Sequence, residues 1–270
     1  MEFWAYIAAL VAYAGAAAVL LRALAAGDRT APRAGAVAGG VGVAAHLAAS
    51  VGYTAAHGEL PLVGLGPSLA TFSLLVALWA TPLLWLREAR PLGVVLMPLA
   101  AALLGGGLLV GVEPAPAELA FRGAWFYLHV LLTFVGYVCF AGAFAAGLLY
   151  LIQHRELKGK HFGRWFRFLP PLESLERWQR RALEVGLPAL TLGLLVGWAW
   201  TTRFARPLPA WHPKIVWGLL SWVLLALALL AHLAPTRHRR GALVSVVGFA
   251  VTVAVYVVLR LSESQGSLFL

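Results

Sequence analysis

The fold of this 270-residue chain turns on one stretch, Gly186–Leu233: GLPALTLGLLVGWAWTTRFARPLPAWHPKIVWGLLSWVLLALALLAHL. It holds two apolar runs. The first ends in Trp198 and Trp200, a short loop closes on Trp211-His212-Pro213-Lys214, and the second run begins there. Each run has the roughly 20 apolar residues that a helix needs to cross a hydrocarbon core about 30 Å thick. The stretch therefore reads as a transmembrane helical hairpin. Pro213 suits the first helical position, where its missing N–H is no loss. His212 stands at the N-cap position, where Asp, Ser or Asn is usual.

The same pattern continues in both directions. Apolar segments at 3–25, 34–57, 66–86, 91–112, 124–152, 184–205, 213–233 and 241–261 are each long enough to span. Composition agrees: 61% of the residues are hydrophobic and 12% charged, against about half and a quarter in an ordinary soluble domain. The expected fold class is an all-α polytopic membrane protein, a bundle of eight transmembrane helices forming one integral membrane domain over 1–270. Met1-Glu2-Phe3 opens without a basic region or a small-residue cleavage site, so the first segment is expected to stay as a span. Cys139 is the single cysteine, which excludes a disulfide framework and a clustered-cysteine metal site.

Sixteen of the 21 Lys and Arg fall in four alternate connections; only Arg122, Arg203, Arg206, Lys214 and Arg260 lie on the other side. The positive-inside rule then puts both termini outside, together with the Trp211 loop. The surplus of positive charge is thus a matter of topology and anionic-lipid contact, and nucleic-acid binding is not expected. Eight of the inner charges belong to residues 155–183, read as a cytoplasmic loop. Within it Leu172-Glu173-Ser174-Leu175-Glu176-Arg177-Trp178 has the pattern of a short amphipathic helix lying on the membrane. The loop is either a solvated basic connection or a docking surface for a cytosolic partner.

Ionisable residues inside the spans are the functional candidates, because burying them in lipid is costly. His46 lies in the middle of the second segment, beyond Gly39, Gly40 and Gly42, whose small size favours close helix packing. It is either a core histidine bonded to a neighbouring helix or a ligand. His57, at the outer end beside Gly58-Glu59-Leu60-Pro61, reads as a solvated interfacial side chain. Trp125 and His129 are four residues apart and share a helix face about one turn below the outer surface. That geometry suits an interfacial pair or an axial ligand to a flat apolar cofactor. Trp198, Trp200, Phe204, Trp211, Trp217 and Trp222 crowd the outer half of two adjacent spans, and Trp217 and Trp222 are deep enough to wall a ligand platform. His232 ends the seventh segment near the inner face. No catalytic constellation is found, so no enzyme is expected. Neither an internal repeat nor paired midplane carboxylates support a small-solute transporter.

Read in order, Trp125-x-x-x-His129, Leu149-Tyr150-Leu151-Ile152 with Leu157-Lys158, Leu169-Pro170-x-Leu172-Glu173, Gly197-Trp198-Ala199-Trp200, Trp211-x-Pro213-Lys214 and Trp222 resemble the cytochrome c assembly family of CcsA, CcmC and HemX-like membrane proteins. The resemblance is best from about residue 120 onward. It implies a multi-pass protein of the cytoplasmic (inner) membrane that handles haem at its outer face through a tryptophan-rich loop, usually written WGxxWxWDPKE, flanked by histidines. The implied cofactor is haem b. Carried over by position, His129 resembles the external histidine before that loop, Trp211-His212-Pro213-Lys214 its WDPK end, and His232 an intramembrane histidine near the cytoplasm.

Haem requires an apolar slot, neutral imidazoles on the iron and cations for its propionates. The candidate set is therefore His129 as axial ligand, His212 or His46 as the second, Trp125, Trp200 and Trp211 as walls, and Lys214 or Arg203 at the mouth. His232 would imply a second, inner site. The chain departs from the family pattern in four places: His212 stands for Asp, Ile215 stands for Glu, the first half of the tryptophan motif is eroded, and the tail after Ser262 has no histidine. These departures lean toward the HemX-like branch, associated with haem biosynthesis and control of glutamyl-tRNA reductase. The expected partners are accordingly haem, the lipid bilayer, and either other cytochrome c assembly proteins or glutamyl-tRNA reductase.

Overall fold

The computed structural model describes residues 2–26, 32–114, 123–160, 163, 168–204, 212–233 and 238–264. All the regular structure among them is helical: α1 (Glu2–Ala26), α2 (Pro32–His57), α3 (Leu65–Leu83), α4 (Gly93–Val110), α5 (Ala124–Lys158), α6 (Leu172–Phe204), α7 (Pro213–Leu233) and α8 (His238–Ser264), with one 3-10 turn at Arg90–Leu92 before α4. All eight helices are long and apolar enough to cross a membrane. Large apolar side chains face outward, among them Val11, Leu109, Leu195 and Leu230. In lipid that exposure carries no hydrophobic penalty, so an inward-facing stripe is not required.

The ends of the helices follow local chemistry. Gly58 ends α2 in the left-handed region (φ 72°), its N–H bonding the Thr54 carbonyl at 2.8 Å, as a C-terminal glycine does. The last turn of α3 carries Pro82 and tightens into three-residue bonds at Leu84, Trp85 and Leu86, so the helix stops short of residue 86. Two helices run six or more residues beyond their apolar segments. α5 continues to Lys158 and α6 begins at Leu172, so helix occupies both ends of the stretch read as the 155–183 loop. The charged residues at the start of α6 tolerate helix, and Arg180 and Glu184 form an i,i+4 ion pair at 2.8 Å. Hydropathy registers where lipid begins, not where helix does.

The chain divides into two compact units, residues 1–119 with 152–175 and residues 120–151 with 176–270. In the first, glycines let backbones approach closely. A Cβ on Gly42 would stand 2.6 Å from the Tyr13 ring, and one on Gly66 would overlap the Gly111 carbonyl. Ser73 Oγ donates to the Ala100 carbonyl at 2.7 Å, tying α3 to α4.

In the second unit α5 and α6 run antiparallel along a glycine seam. Gly186 meets Cys139, Leu190 meets Gly136, Gly193 meets Thr133 and Gly197 meets His129. α7 lies against α6 through Trp222 Nε1, which donates to Thr191 Oγ1 at 2.7 Å. α8 is tied to α7 by Trp217 Nε1, which donates to the Thr252 carbonyl at 3.1 Å. Trp217 also stacks on Tyr137 of α5, with ring centroids 4.9 Å apart. Both tryptophans that could have walled a ligand platform are used as ties between helices.

Candidate functional site

The best-defined polar arrangement in the second unit is built on α5. His129 and Thr133 share a face, and Thr133 Oγ1 donates to the His129 carbonyl at 2.7 Å. Across from them α6 presents Gly193-Leu194-Leu195-Val196-Gly197, a GxxxG sequence of the kind that lets membrane helices close on each other. A Cβ on Gly193 would come within 2.8 Å of Thr133 Oγ1, and one on Gly197 within 2.6 Å of His129 Cε1 and Nδ1. Without those Cβ atoms the imidazole reaches the α6 backbone, and His129 Nδ1 lies 2.7 Å from the Gly193 carbonyl oxygen.

That bond sets the state of the ring. A carbonyl only accepts, so Nδ1 carries the hydrogen and donates it. In the neutral ring Nε2 then holds the free lone pair. It has no hydrogen-bond partner among the described residues. An imidazole held through one nitrogen with the other bare is the usual preparation for metal ligation. The ring is half-buried, and Trp125, 51% exposed, stands one turn above it.

The other aromatics lie at the same end of this unit. Phe126 and Trp200 have ring centroids 6.2 Å apart, and Trp200 Nε1 is buried without a partner among the described residues. Gly218 of α7 faces Leu194 of α6, so His212, six residues before Gly218, stands level with Trp200, six residues after Leu194. Gly197 and His129 are then about 4.5 Å deeper, three residues along α6. His212 is the N-cap of α7: Lys214 donates its backbone N–H to His212 Nδ1 at 3.3 Å. Its Nδ1 is thereby an acceptor, and the neutral ring carries its hydrogen on Nε2. Lys214 is exposed, and Trp211 lies outside the described residues.

The remaining histidines are placed differently. His46 belongs to the first unit, fully buried, with Nδ1 3.3 Å from Tyr13 Oη and its ring 5.4 Å from that of Tyr6 in an edge-on contact. It reaches no surface. His57 bonds the Tyr53 carbonyl of its own helix at 3.0 Å and is exposed. His232, buried at the far end of α7, presses against Gly241 of α8.

A helical bundle with an oriented imidazole beneath exposed tryptophans fits many small-molecule sites. The family model described as cytochrome C assembly protein narrows it, matching residues 62–265. The chain belongs to the cytochrome c assembly family. The match takes in every candidate named above except His46. Similar proteins include the cytochrome c biogenesis protein CcsA of Chlamydomonas reinhardtii, 28% identical over 52% of this chain and 38% of the relative. That of Guillardia theta is 26% identical over 52% of each, and that of Synechococcus sp. (strain CC9605) is 27% identical over 66% and 65%. The chain thus spans about four-tenths to two-thirds of the length of these curated relatives. It is a multi-pass membrane protein of that family.

The sequence singles out His129 but not Gly193, whose carbonyl holds its ring, or Gly197, whose missing Cβ makes room for it. The GLLVG pattern was visible in the sequence; the helix it packs against was not.

Proposed function

We propose that this protein binds b-type haem near the outer face of the membrane and handles it in cytochrome c assembly, with His129 as the axial ligand. The observation that carries the proposal is the bond from His129 Nδ1 to the Gly193 carbonyl, which leaves Nε2 bare on a half-exposed ring. The donor set suits the cofactor. A neutral imidazole ligates haem iron, Trp125 and Trp200 offer flat apolar walls, and Lys214 and Arg203 supply cations for propionates.

When bound, haem contributes an iron centre with redox chemistry of its own, while the protein contributes placement. Gly193 fixes the plane of the imidazole; with haem bound, His129 would set its depth and the tryptophans would shield it from water. The orientation with both termini outside belongs to the same proposal and rests on the distribution of Lys and Arg.

For the second ligand His212 is preferred to His46, because it lies level with the Trp200 end of the same unit whereas His46 is sealed beneath Tyr6 and Tyr13. Ligation by its Nε2 would require the ring hydrogen to move to Nδ1, which gives up the bond from the Lys214 N–H. The CcsA names of the relatives favour handling in cytochrome c assembly over a HemX-like scaffold acting on glutamyl-tRNA reductase.

The test is the absorption spectrum of the purified protein with and without added haem. Wild type is expected to show a histidine-ligated b-type spectrum, and His129→Ala to lose it or bind far more weakly while its melting curve shows a folded protein. An unchanged spectrum and affinity in folded His129→Ala would refute the assignment.

A further inference from the structure

At the end of the second unit opposite His212, three helix ends converge on a group that the haem proposal does not use. Glu176 comes from the first turns of α6, His232 from the last turn of α7, and His238 is the first residue of α8. Each offers one ligand atom, and the three atoms lie within 4.8 Å of one another. His238 Nδ1 is 2.7 Å from Glu176 Oε1.

His232 is 4% exposed, and neither of its ring nitrogens has a hydrogen-bond partner among the described residues. A buried imidazole with both nitrogens unsatisfied forfeits bonds it had in water, at a cost of about 1–3 kcal/mol, so such a group calls for a missing partner.

We propose that Glu176, His232 and His238 form a binding site for a divalent transition-metal ion of the zinc class. Two imidazoles and one carboxylate are the donor set that such ions take, with bonds of about 2.0–2.2 Å, so that donors on one ion stand roughly 3–4 Å apart. The spread of 4.8 Å needs a side-chain adjustment of the order of 1 Å to close on an ion. One negative charge and two neutral rings make the set attractive to a cation. Arg180, which bears on His232 electrostatically, has its own charge taken up by Glu184 at 2.8 Å.

The His232 ring is also closely packed against its neighbour. A Cβ on Gly241 would stand 2.8–3.0 Å from three atoms of the His232 ring, so the ring already packs against the α8 backbone. Glu176 and His238 keep 27% and 34% of their side chains exposed, which gives the ion a way in. His238 would ligate through Nδ1, with the hydrogen of the neutral ring on Nε2.

The experiment is a calorimetric titration of the chelator-treated, detergent-solubilised full chain with Zn²⁺, repeated with Co²⁺ read by its visible absorption. One ion per chain is expected, with affinity lowered at least about tenfold in both Glu176→Gln and His238→Ala, since even outer-shell partners are worth 10–100-fold. These two partly exposed positions are chosen so that the variants fold, and gel filtration checks that they do. Folded variants that bind Zn²⁺ as tightly as wild type, or a wild type that binds none, would overturn the site. His129→Ala is expected to leave the titration unchanged, so failure here is distinguishable from failure of the haem proposal. Loss of the Zn²⁺ signal in His129→Ala alone would place the ion elsewhere.

Discussion

Gly197→Ala is the perturbation whose consequence can be worked furthest from the coordinates. The added methyl would stand 2.6 Å from both Cε1 and Nδ1 of His129, where carbon contacts settle at about 3.5–4.0 Å. The imidazole must therefore retreat by about 1 Å. Retreat stretches the 2.7 Å bond to the Gly193 carbonyl. Its loss costs about 0.5–1.5 kcal/mol, and forcing a methyl into a packed seam adds about 1–3 kcal/mol. Alanine's better helix propensity returns about 1 kcal/mol. The net is a destabilisation of roughly 0.5–3.5 kcal/mol.

With His129→Ala already in place the ring is gone, and only the propensity gain remains. Gly197→Ala should then be neutral or stabilising by up to about 1 kcal/mol, a change of sign. The four proteins of this double-mutant cycle can be unfolded by SDS titration in mixed micelles and followed by tryptophan fluorescence. Contacting residues couple, whereas independent ones add to within about 0.3–0.5 kcal/mol. If the cost of Gly197→Ala is the same with and without His129, the contact between them is not what the structure describes.

Three further outcomes follow from the same geometry. His212→Ala should lower stability by about 0.5–2 kcal/mol through loss of the α7 cap, while His212→Asp should hold it; thermal unfolding of the two variants distinguishes a cap from a bystander. Trp222→Phe and Thr191→Val each remove the 2.7 Å bond between α6 and α7 and should each cost about 0.5–1.5 kcal/mol; the double variant, measured by the same SDS titration, should cost less than the sum of the two. In a Cys139→Ala background, a membrane-impermeant maleimide applied from outside should label Thr201→Cys and not Gly159→Cys, and the reverse pattern would overturn the orientation derived from the basic residues.

The spans were legible because lipid imposes a length and a composition that few other environments do. Every apolar segment read from the sequence coincides with a helix. The ends were less legible for a physical reason. α6 starts at Leu172, where the sequence pattern indicated a short amphipathic helix of its own; the charges at Glu173, Glu176, Arg177, Arg180 and Arg181 hid that this helix runs unbroken into the apolar span. Gly111, by contrast, stops α4 by adopting φ 99° just where the apolar segment ends.

The site was legible one residue at a time and not as an arrangement. Four-residue spacing put Trp125 and His129 on one face, and His212 was recognised at a capping position, because both facts are local. Which face of α6 meets His129 is settled by helices 64 residues apart in sequence. The same holds for Glu176, His232 and His238, which come together only because three helix ends converge.

The glycine seam shows why packing and chemistry cannot be separated here. Lipid gives little hydrophobic drive for helices to associate, so α5 and α6 rely on close approach, which Gly193 and Gly197 permit. Close approach also brings the backbone carbonyl of Gly193 within 2.7 Å of the imidazole. A helical carbonyl already accepts one bond from its own helix, but it has a second lone pair. A side chain reaches that lone pair only where no Cβ stands in the way. Gly197, one turn on from Gly193, provides the opening, since its missing Cβ is the one that would strike the ring. A GxxxG pair level with a histidine on the facing helix is thus both the means of joining the helices and the means of fixing which nitrogen of that histidine is left bare.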